Sequence, residues 1–381
     1  MSGAARVAAS VSEAGEMVAP VIVAGCGTAG GGGDGGAAVA AALAFPAGVA
    51  VEAGGGIVIA DHANHRVRVV DRSGVISTVA GDGVRGFAGD GGPAVSARLG
   101  FPSSVAVVGD GTVFVADAMN RRVRRIGADG VIVTVAGDGT RGSGGDGGPA
   151  LQAQFVSPCA VAAGGDGTLF VGDAGACTVR RIGADASVAT VLSVAGATDG
   201  EAGVVAGPFV PAGLAVDAAG RVYVADPSGR RLVRRDQDGT VSLLAGPGAG
   251  EKAVGVDWQA PCAVAVDTDG TLYVADQTAH RVWRLASGQA HVFAGAGREA
   301  PSGPGGGQEL AYPSGLAVDV GSRRLLVADN FHHRVVAFPL PALRRTSADD
   351  GERGTAPQPP PIVADLLVKQ EGGLELRPGG R

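Results

Sequence analysis

A short apolar run ending in aspartate recurs six times in this chain, closing at Asp61, Asp117, Asp173, Asp226, Asp276 and Asp329, with intervals of 56, 56, 53, 50 and 53 residues. Five residues after the aspartate comes an arginine in five copies: Arg66, Arg122, Arg231, Arg281 and Arg334. The third copy has Thr178 there. Self-similarity at a fixed period marks a repeat architecture, in which one supersecondary unit cannot bury its apolar face alone.

Each copy holds four short apolar runs. In the second copy they cover residues 104–108, 112–116, 123–126 and 131–136. Gly109-Asp110-Gly111 separates the first two and Ala128-Asp129-Gly130 the last two, and such turns between β-branched runs signal hairpins. Composition agrees. Gly (67) and Pro (21) are abundant, yet 45 % of the residues are hydrophobic, so a core exists while turns are frequent. Four antiparallel strands per repeat and no helical period specify an all-β, six-bladed β-propeller over residues 20–339. Val21-Ile22-Val23-Ala24-Gly25 matches the fourth strand of a repeat, and the sixth copy lacks its own, so the N-terminal strand is expected to close the last blade. Residues 1–19 read as a disordered leader and 340–381 as a disordered, proline-containing tail with Pro357, Pro359, Pro360 and Pro361; the tail reads as solubilising, with binding of an SH3 or WW-like module to the proline patch as the alternative.

The pattern Pro-x-Gly-x-Ala-Val-Asp, Tyr-Val-Ala-Asp and Asn-His-Arg-Val, complete at Asn64-His65-Arg66-Val67, resembles the NHL repeat family. The Gly-Asp-Gly-Gly-Pro-Ala linkers at residues 89–94 and 145–150 resemble the teneurin-type subgroup. The resemblance implies the propeller fold. It leaves function open, because the family includes RNA binders, protein-binding modules, sensor ectodomains and a lyase, and fold does not choose between them.

The Asp–Arg pairs (Asp61/Arg66, Asp117/Arg122, Asp226/Arg231, Asp276/Arg281 and Asp329/Arg334) read as structural pins between the second and third strands, since a single site would not need five copies. Arg124-Arg125, Arg180-Arg181 and Arg234-Arg235 read as salt-bridged blade surfaces. Net charge −6 and only 15 aromatic residues disfavour an RNA-binding stripe. In the linkers, Asp90 and Asp146 are expected to satisfy free backbone N–H groups, with Pro93 and Pro149 opening a helical turn; a weak calcium site is the alternative.

Propeller chemistry is expected at the mouth of the central channel, next to the blade-opening prolines. Those positions hold Ala47, Ser103, Cys159, Ala212, Cys262 and Ser314. The family's lyases place zinc-binding histidines there, and gluconolactonase-type propellers line the channel with acidic and amide calcium ligands; neither set is present. Cys159 and Cys262 read as small fillers of a narrow mouth, and Ser103 and Ser314 lack a Gly-x-Ser-x-Gly elbow. The expected binding face comprises Ser103, Asn120, Arg121, Cys159, Cys262, His280, Ser314, Phe331 and His332, with Phe331 as anchor. The reading is a non-enzymatic platform for a protein or peptide, without metal or cofactor. A metal-dependent lyase or hydrolase is the alternative, and RNA binding the third. The N-terminus lacks the basic start and apolar run of a secretory signal, four cysteines form no disulfide framework, and no run approaches ~20 apolar residues. An intracellular, cytoplasmic, monomeric protein without a membrane span is expected.

Overall fold

The computed structural model describes residues 20–194, 203–247, 254–297 and 309–342. Six separate sheets follow one another along the chain, antiparallel except where Gly203–Val205 adds a parallel edge strand to the third. Blade 1 is Pro46–Val51, Ile57–Asp61, Arg66–Val70 and Ile76–Ala80. Blade 2 is Pro102–Val107, Val113–Asp117, Arg122–Ile126 and Val131–Ala136. Blades 3, 4 and 5 open at Pro158–Ala163, Gly213–Val216 and Pro261–Val266. Blade 6 has Pro313–Asp319, Arg324–Asp329 and Arg334–Pro339, and its outer strand is Val21–Ala24 from the other end of the chain. Each first strand packs against the next, and the sixth packs against the first.

Closure by the N-terminal strand is visible in its register. In blades 1 to 5 the outer strand bulges where it passes the start of the third strand, as when Ala80 pairs with Val67 and Thr78 with Arg68. Val21–Ala24 repeats this device: Ala24 pairs with Val335 and Ile22 with Val336.

The second strands explain why their sequences are continuous rather than alternating. Every residue of Ile57–Asp61, Val113–Asp117, Leu169–Asp173, Val222–Asp226 and Leu272–Asp276 is buried, because blades cover both faces. The core is accordingly split into six clusters, one per seam between neighbouring blades. At the closing seam, Ala24, Leu43, Ile59, Leu326 and Val335 pack together. Backbones approach closely there too: a Cβ on Gly315 would stand 2.5 Å from the Ala47 carbonyl oxygen.

The linkers of blades 1 to 3 meet the sequence expectation in part, since Asp146 accepts the Thr190 backbone N–H at 3.0 Å, but their main partner is a side chain. Asp34, Asp90 and Asp146 each accept from an arginine of the third strand: Arg68 at 2.7 Å, Arg124 at 2.6 Å and Arg180 at 2.5 Å. These arginines are buried, so the third-strand arginine pairs are not uniformly surface features: alternation sends Arg124 and Arg180 into the seam and Arg125 and Arg181 outward. The single carboxylate of each linker is thereby neutralised by a guanidinium, which opposes a cation at the same place. The one-turn elements expected after Pro93 and Pro149 are Ala94–Ser96 and Ala150–Gln152, pinned by buried Ala94 and Ala150. The leader and nearly all of the tail lie outside the described residues.

Candidate functional site at the channel mouth

The face that carries the blade-opening loops and the turns between second and third strands is built around the recurrent aspartate. Each is fully buried and accepts backbone N–H groups of the loop that opens its own blade. Ala44 donates to Asp61 at 2.7 Å, Gly100 to Asp117 at 2.6 Å, Ser157 to Asp173 at 2.7 Å, Val210 to Asp226 at 2.9 Å, Ala260 to Asp276 at 2.7 Å and Ala311 to Asp329 at 2.7 Å. Burial raises the carboxyls of Asp61 and Asp117, although Asn64 or Asn120 and an arginine oppose it.

The arginine partner varies between blades. Asp226 meets Arg231 and Asp329 meets Arg334, both at 2.8 Å, as the spacing suggested. Asp61 and Asp117 instead face Arg68 at 3.6 Å and Arg124 at 3.3 Å, two residues further on. Arg66 and Arg122 turn outward to the Asp82 and Asp138 carbonyls, and Arg281 does not reach Asp276. In blades 1 and 2 the residue seven beyond the aspartate is an arginine, Arg68 or Arg124, which takes the place of the five-residue partner, whereas blades 4 and 6 have Val233 and Val336 there. Blade 5, with Trp283 at that position, forms neither pair, and both oxygens of Asp276 accept backbone N–H groups.

The positions after the blade-opening prolines tie neighbouring blades together. Ser103 Oγ donates to the Cys159 carbonyl at 2.9 Å, Cys159 Sγ to Pro211 at 3.2 Å, Cys262 Sγ to Pro313 at 3.2 Å and Ser314 Oγ to Pro46 at 3.0 Å. Both thiols keep some accessible surface toward the channel, yet desolvation by its walls pushes them up to about 12. Burial therefore favours the protonated thiol, which donates to the neighbouring carbonyls, over the thiolate that a nucleophile needs. Among the described residues no group of three or more His, Cys, Asp or Glu is placed to hold a metal ion.

The histidines of the Asn-His-Arg slot are latches between blades. His65, His280 and His333 adopt left-handed φ of 54°, 53° and 51°. Their Nδ1 atoms accept the backbone N–H of Phe101, Tyr312 and Phe45 in the next blade, each at 3.2 Å. Each imidazole also stands edge-on to that aromatic ring, with centroids 4.4–4.6 Å apart. Desolvation lowers His65 and His333, favouring the neutral acceptor form. His62 lies in the preceding turn, with Nδ1 3.1 Å from the Pro102 carbonyl, and is lowered by burial.

The remaining expected site residues separate. Asn120 is held by Asp117 (2.8 Å) and the Gly86 carbonyl (2.7 Å). Arg121 takes the left-handed position used elsewhere by histidine, with φ 54°. His332 is 3 % exposed, its Nδ1 2.7 Å from Asp329, so it faces the blade interior instead of a partner. Phe331 is 46 % exposed and stacks on Tyr312 (4.5 Å) and Phe45 (5.4 Å). Together with the latches, these rings form an aromatic arc over blades 5, 6 and 1, and the Phe101 group continues it onto blade 2. Blades 3 and 4 put Ala174-Gly175-Ala176 and Pro227-Ser228-Gly229 at the corresponding turns. The mouth face is therefore one-sided. Phe45, Phe101 and Tyr312 escaped the sequence reading; the signal was an aromatic directly before three blade-opening prolines.

A groove of about 1020 Å³ opens on the opposite face, between blades 6 and 1, lined by Val51, Glu52, Asp71, Arg72, Val318 and Arg324 among others. It holds no histidine or cysteine and lies away from the arc.

Fold and mouth together define a closed six-bladed propeller whose repeated polar residues serve the scaffold. Residues 4–86 match the Teneurin NHL domain family and residues 310–338 match the NHL repeat. The chain is an NHL-repeat β-propeller. No curated protein matches it in sequence. Among solved structures it is similar to a Bacteroides thetaiotaomicron protein of unknown function, at 16 % identity, over 84 % of this chain and 75 % of that one, with TM-score 0.60. A gluconolactonase from Xanthomonas campestris aligns at 17 % identity over 79 % and 87 % of the two chains (TM-score 0.54). Virginiamycin B lyase from Staphylococcus aureus aligns at 14 % over 77 % and 94 % (TM-score 0.51). These likenesses concern the fold. No helix among the described residues is long and apolar enough to cross a membrane.

Proposed function

We propose that this propeller is a non-enzymatic binding platform that presents its mouth face to a protein or peptide. The observation that carries the reading is the one-sided aromatic arc around exposed Phe331. A large ring at 46 % exposure, backed by Tyr312 and Phe45, is the kind of anchor that dominates recognition interfaces. The hydroxyls and thiols nearest the channel already donate to carbonyls of neighbouring blades, which argues for a fixed wall rather than a reactive one. The propeller acts as one domain, residues 20–339, flanked by a leader and a tail, working as a monomer inside the cell.

Panning a displayed-peptide library on the full chain tests this. Selected peptides should lose at least tenfold in affinity on Phe331→Ala, with the fold intact by circular dichroism. Selected peptides that bind Phe331→Ala as tightly as the wild type would overturn the reading.

A further inference from the structure

Three positions set the second repeat apart from the first and third. At the period of 56 residues, Val84 replaces Thr28 and Thr140, Phe87 replaces Gly31 and Ser143, and Met119 replaces Ala63 and Gly175. All three side chains are exposed, by 43–53 %. The chain is described without a break from residue 20 to residue 194, which includes this whole rim and the two blades that carry it.

Two loops bring these residues together on the mouth face, over the seam between blades 1 and 2. The linker that leaves the outer strand of blade 1 carries Val84 and Phe87, and the turn Ala118–Asn120 between the second and third strands of blade 2 carries Met119. Asn120 clamps one loop to the other, its amide donating to the Gly86 carbonyl at 2.7 Å and to buried Asp117 at 2.8 Å. Phe87 lies on Arg122, with the guanidinium carbon 3.8 Å from the ring centre.

The cations of this rim outnumber its carboxylates. Arg85 and Arg121 form no ion pair with another described residue. Arg122 donates to the Asn120 and Asp138 carbonyls at 3.0 and 2.7 Å, and Arg66 to the Asp82 carbonyl at 3.2 Å. Of the aspartates nearby, Asp82 holds Arg98 at 3.3 Å and Asp90 holds Arg124 at 2.6 Å. Asp138 accepts the N–H and the hydroxyl of Thr140, both at 2.7 Å. Arg66, Arg85, Arg121 and Arg122 are thus left against the single carboxylate of Asp138.

We propose that this rim takes an acidic peptide, with an apolar side chain among Val84, Phe87 and Met119 and carboxylates on Arg85, Arg121 and Arg122. The inference rests on the reading of the mouth as a protein-binding face and gives the partner its chemistry. Charge complementarity selects the occupant, and arginine beside an aromatic ring is the composition of interface anchors. A nucleic acid is disfavoured, because Val84 and Met119 offer no face for a base and the Arg122 guanidinium already covers one face of Phe87. The scaffold does not require the ring. Arg68 and Arg180 are buried in the same way in blades 1 and 3, where Gly31 and Ser143 stand in its place.

The test pans a displayed-peptide library on the full chain and measures the selected peptides, fluorescein-labelled, by anisotropy. The variant Arg85→Ala/Phe87→Ser/Met119→Ala gives blade 2 the residues already present at Ala29, Ser143 and Ala63. Selected peptides should be richer in Asp and Glu than the starting library. They should bind this variant at least about tenfold more weakly, with far-ultraviolet circular dichroism and melting unchanged. Arg85→Glu, a single change in an exposed loop, should lose affinity as well and flatten its dependence on salt, whereas Val320→Ala on the opposite face should change nothing. Selection without acidic enrichment overturns the proposal, as do peptides that bind both rim variants like wild type. A labelled oligouridine that binds the wild type and displaces the peptides overturns it in favour of nucleic acid. Peptides that need Phe331 but not the rim remove this inference and leave the platform standing; peptides that need neither remove both.

Discussion

Replacing Arg124 by Met removes a buried cation from the seam of blade 2 while keeping most of the side chain's apolar length. In the wild type its guanidinium, 0 % exposed, lies 2.6 Å from Asp90 and 3.3 Å from Asp117. Asp90 is 37 % exposed and can turn to water, but Asp117 is fully buried and cannot. Removing one partner of a buried ion pair costs about 3–5 kcal/mol, because the other charge is left uncompensated. The expected loss in Arg124→Met is of that size at pH 7.5, read from urea unfolding followed by two probes. Adding Asp117→Asn should restore most of it, since the amide oxygen still accepts the Gly100 N–H and no buried charge remains, Asp90 being able to turn to water. The pH dependence has a definite sign. The Asp117 carboxyl is already raised by burial from its ordinary 3.8. Without the guanidinium it rises further, so the folded state binds a proton that the unfolded chain releases above about 3.8. The deficit relative to wild type is therefore greatest above the folded-state value and shrinks as pH falls toward 3.8. A loss below about 1 kcal/mol, or a deficit that stays constant on acidification, would refute the assignment of Arg124 as the charge that makes this seam foldable.

His333→Asn keeps a side-chain acceptor at a left-handed position while removing the titration. Because burial lowers His333 in the folded state, the unfolded chain takes up its proton first, and the latch is fully present above about pH 6.5 and is lost on acidification. The variant should lose less stability than wild type between pH 7.5 and 5, measured by urea midpoints at each pH. Gly315→Ala should cost about 1–3 kcal/mol through its clash with the Ala47 carbonyl, read as a lowered melting temperature, whereas an unchanged melt would show that the closing seam yields without cost. In native protein at pH 8, iodoacetamide should label Cys26, whose thiol is lowered by the Thr28 hydroxyl, before Cys159 and Cys262, which burial pushes up to about 12; peptide mass spectrometry gives the order.

How much of this was legible in the sequence follows from which interactions are local. The six-fold aspartate period, hairpin turns and unmatched N-terminal strand specify the propeller and its closure, because those signals are repeated and short-range. Phe331 was legible as an exposed aromatic in a turn. Its neighbours were not: Tyr312 is separated from it by two strands and joins it when blade 6 forms its hairpin, and Phe45 is distant in sequence and joins it only when blade 6 meets blade 1. Adjacent residues also parted. His332 next to Phe331 turned to Asp329, since a turn sends successive side chains in different directions.

The arginine partners show the same division. Spacing alone paired each aspartate with the arginine five residues on, and that holds in blades 4 and 6, where Val233 and Val336 leave the carboxylate free for it. In blades 1 and 2 the third-strand guanidinium two residues further on reaches the same carboxylate through the seam and also holds a linker aspartate 34 residues earlier. The sequence by itself determined the repeat, the strand count and the closure, because hydrophobic pattern and turn chemistry act over a few residues. Tertiary structure alone decided which charge neutralises which, and which rings share a surface, because both depend on distances between blades that no local spacing encodes.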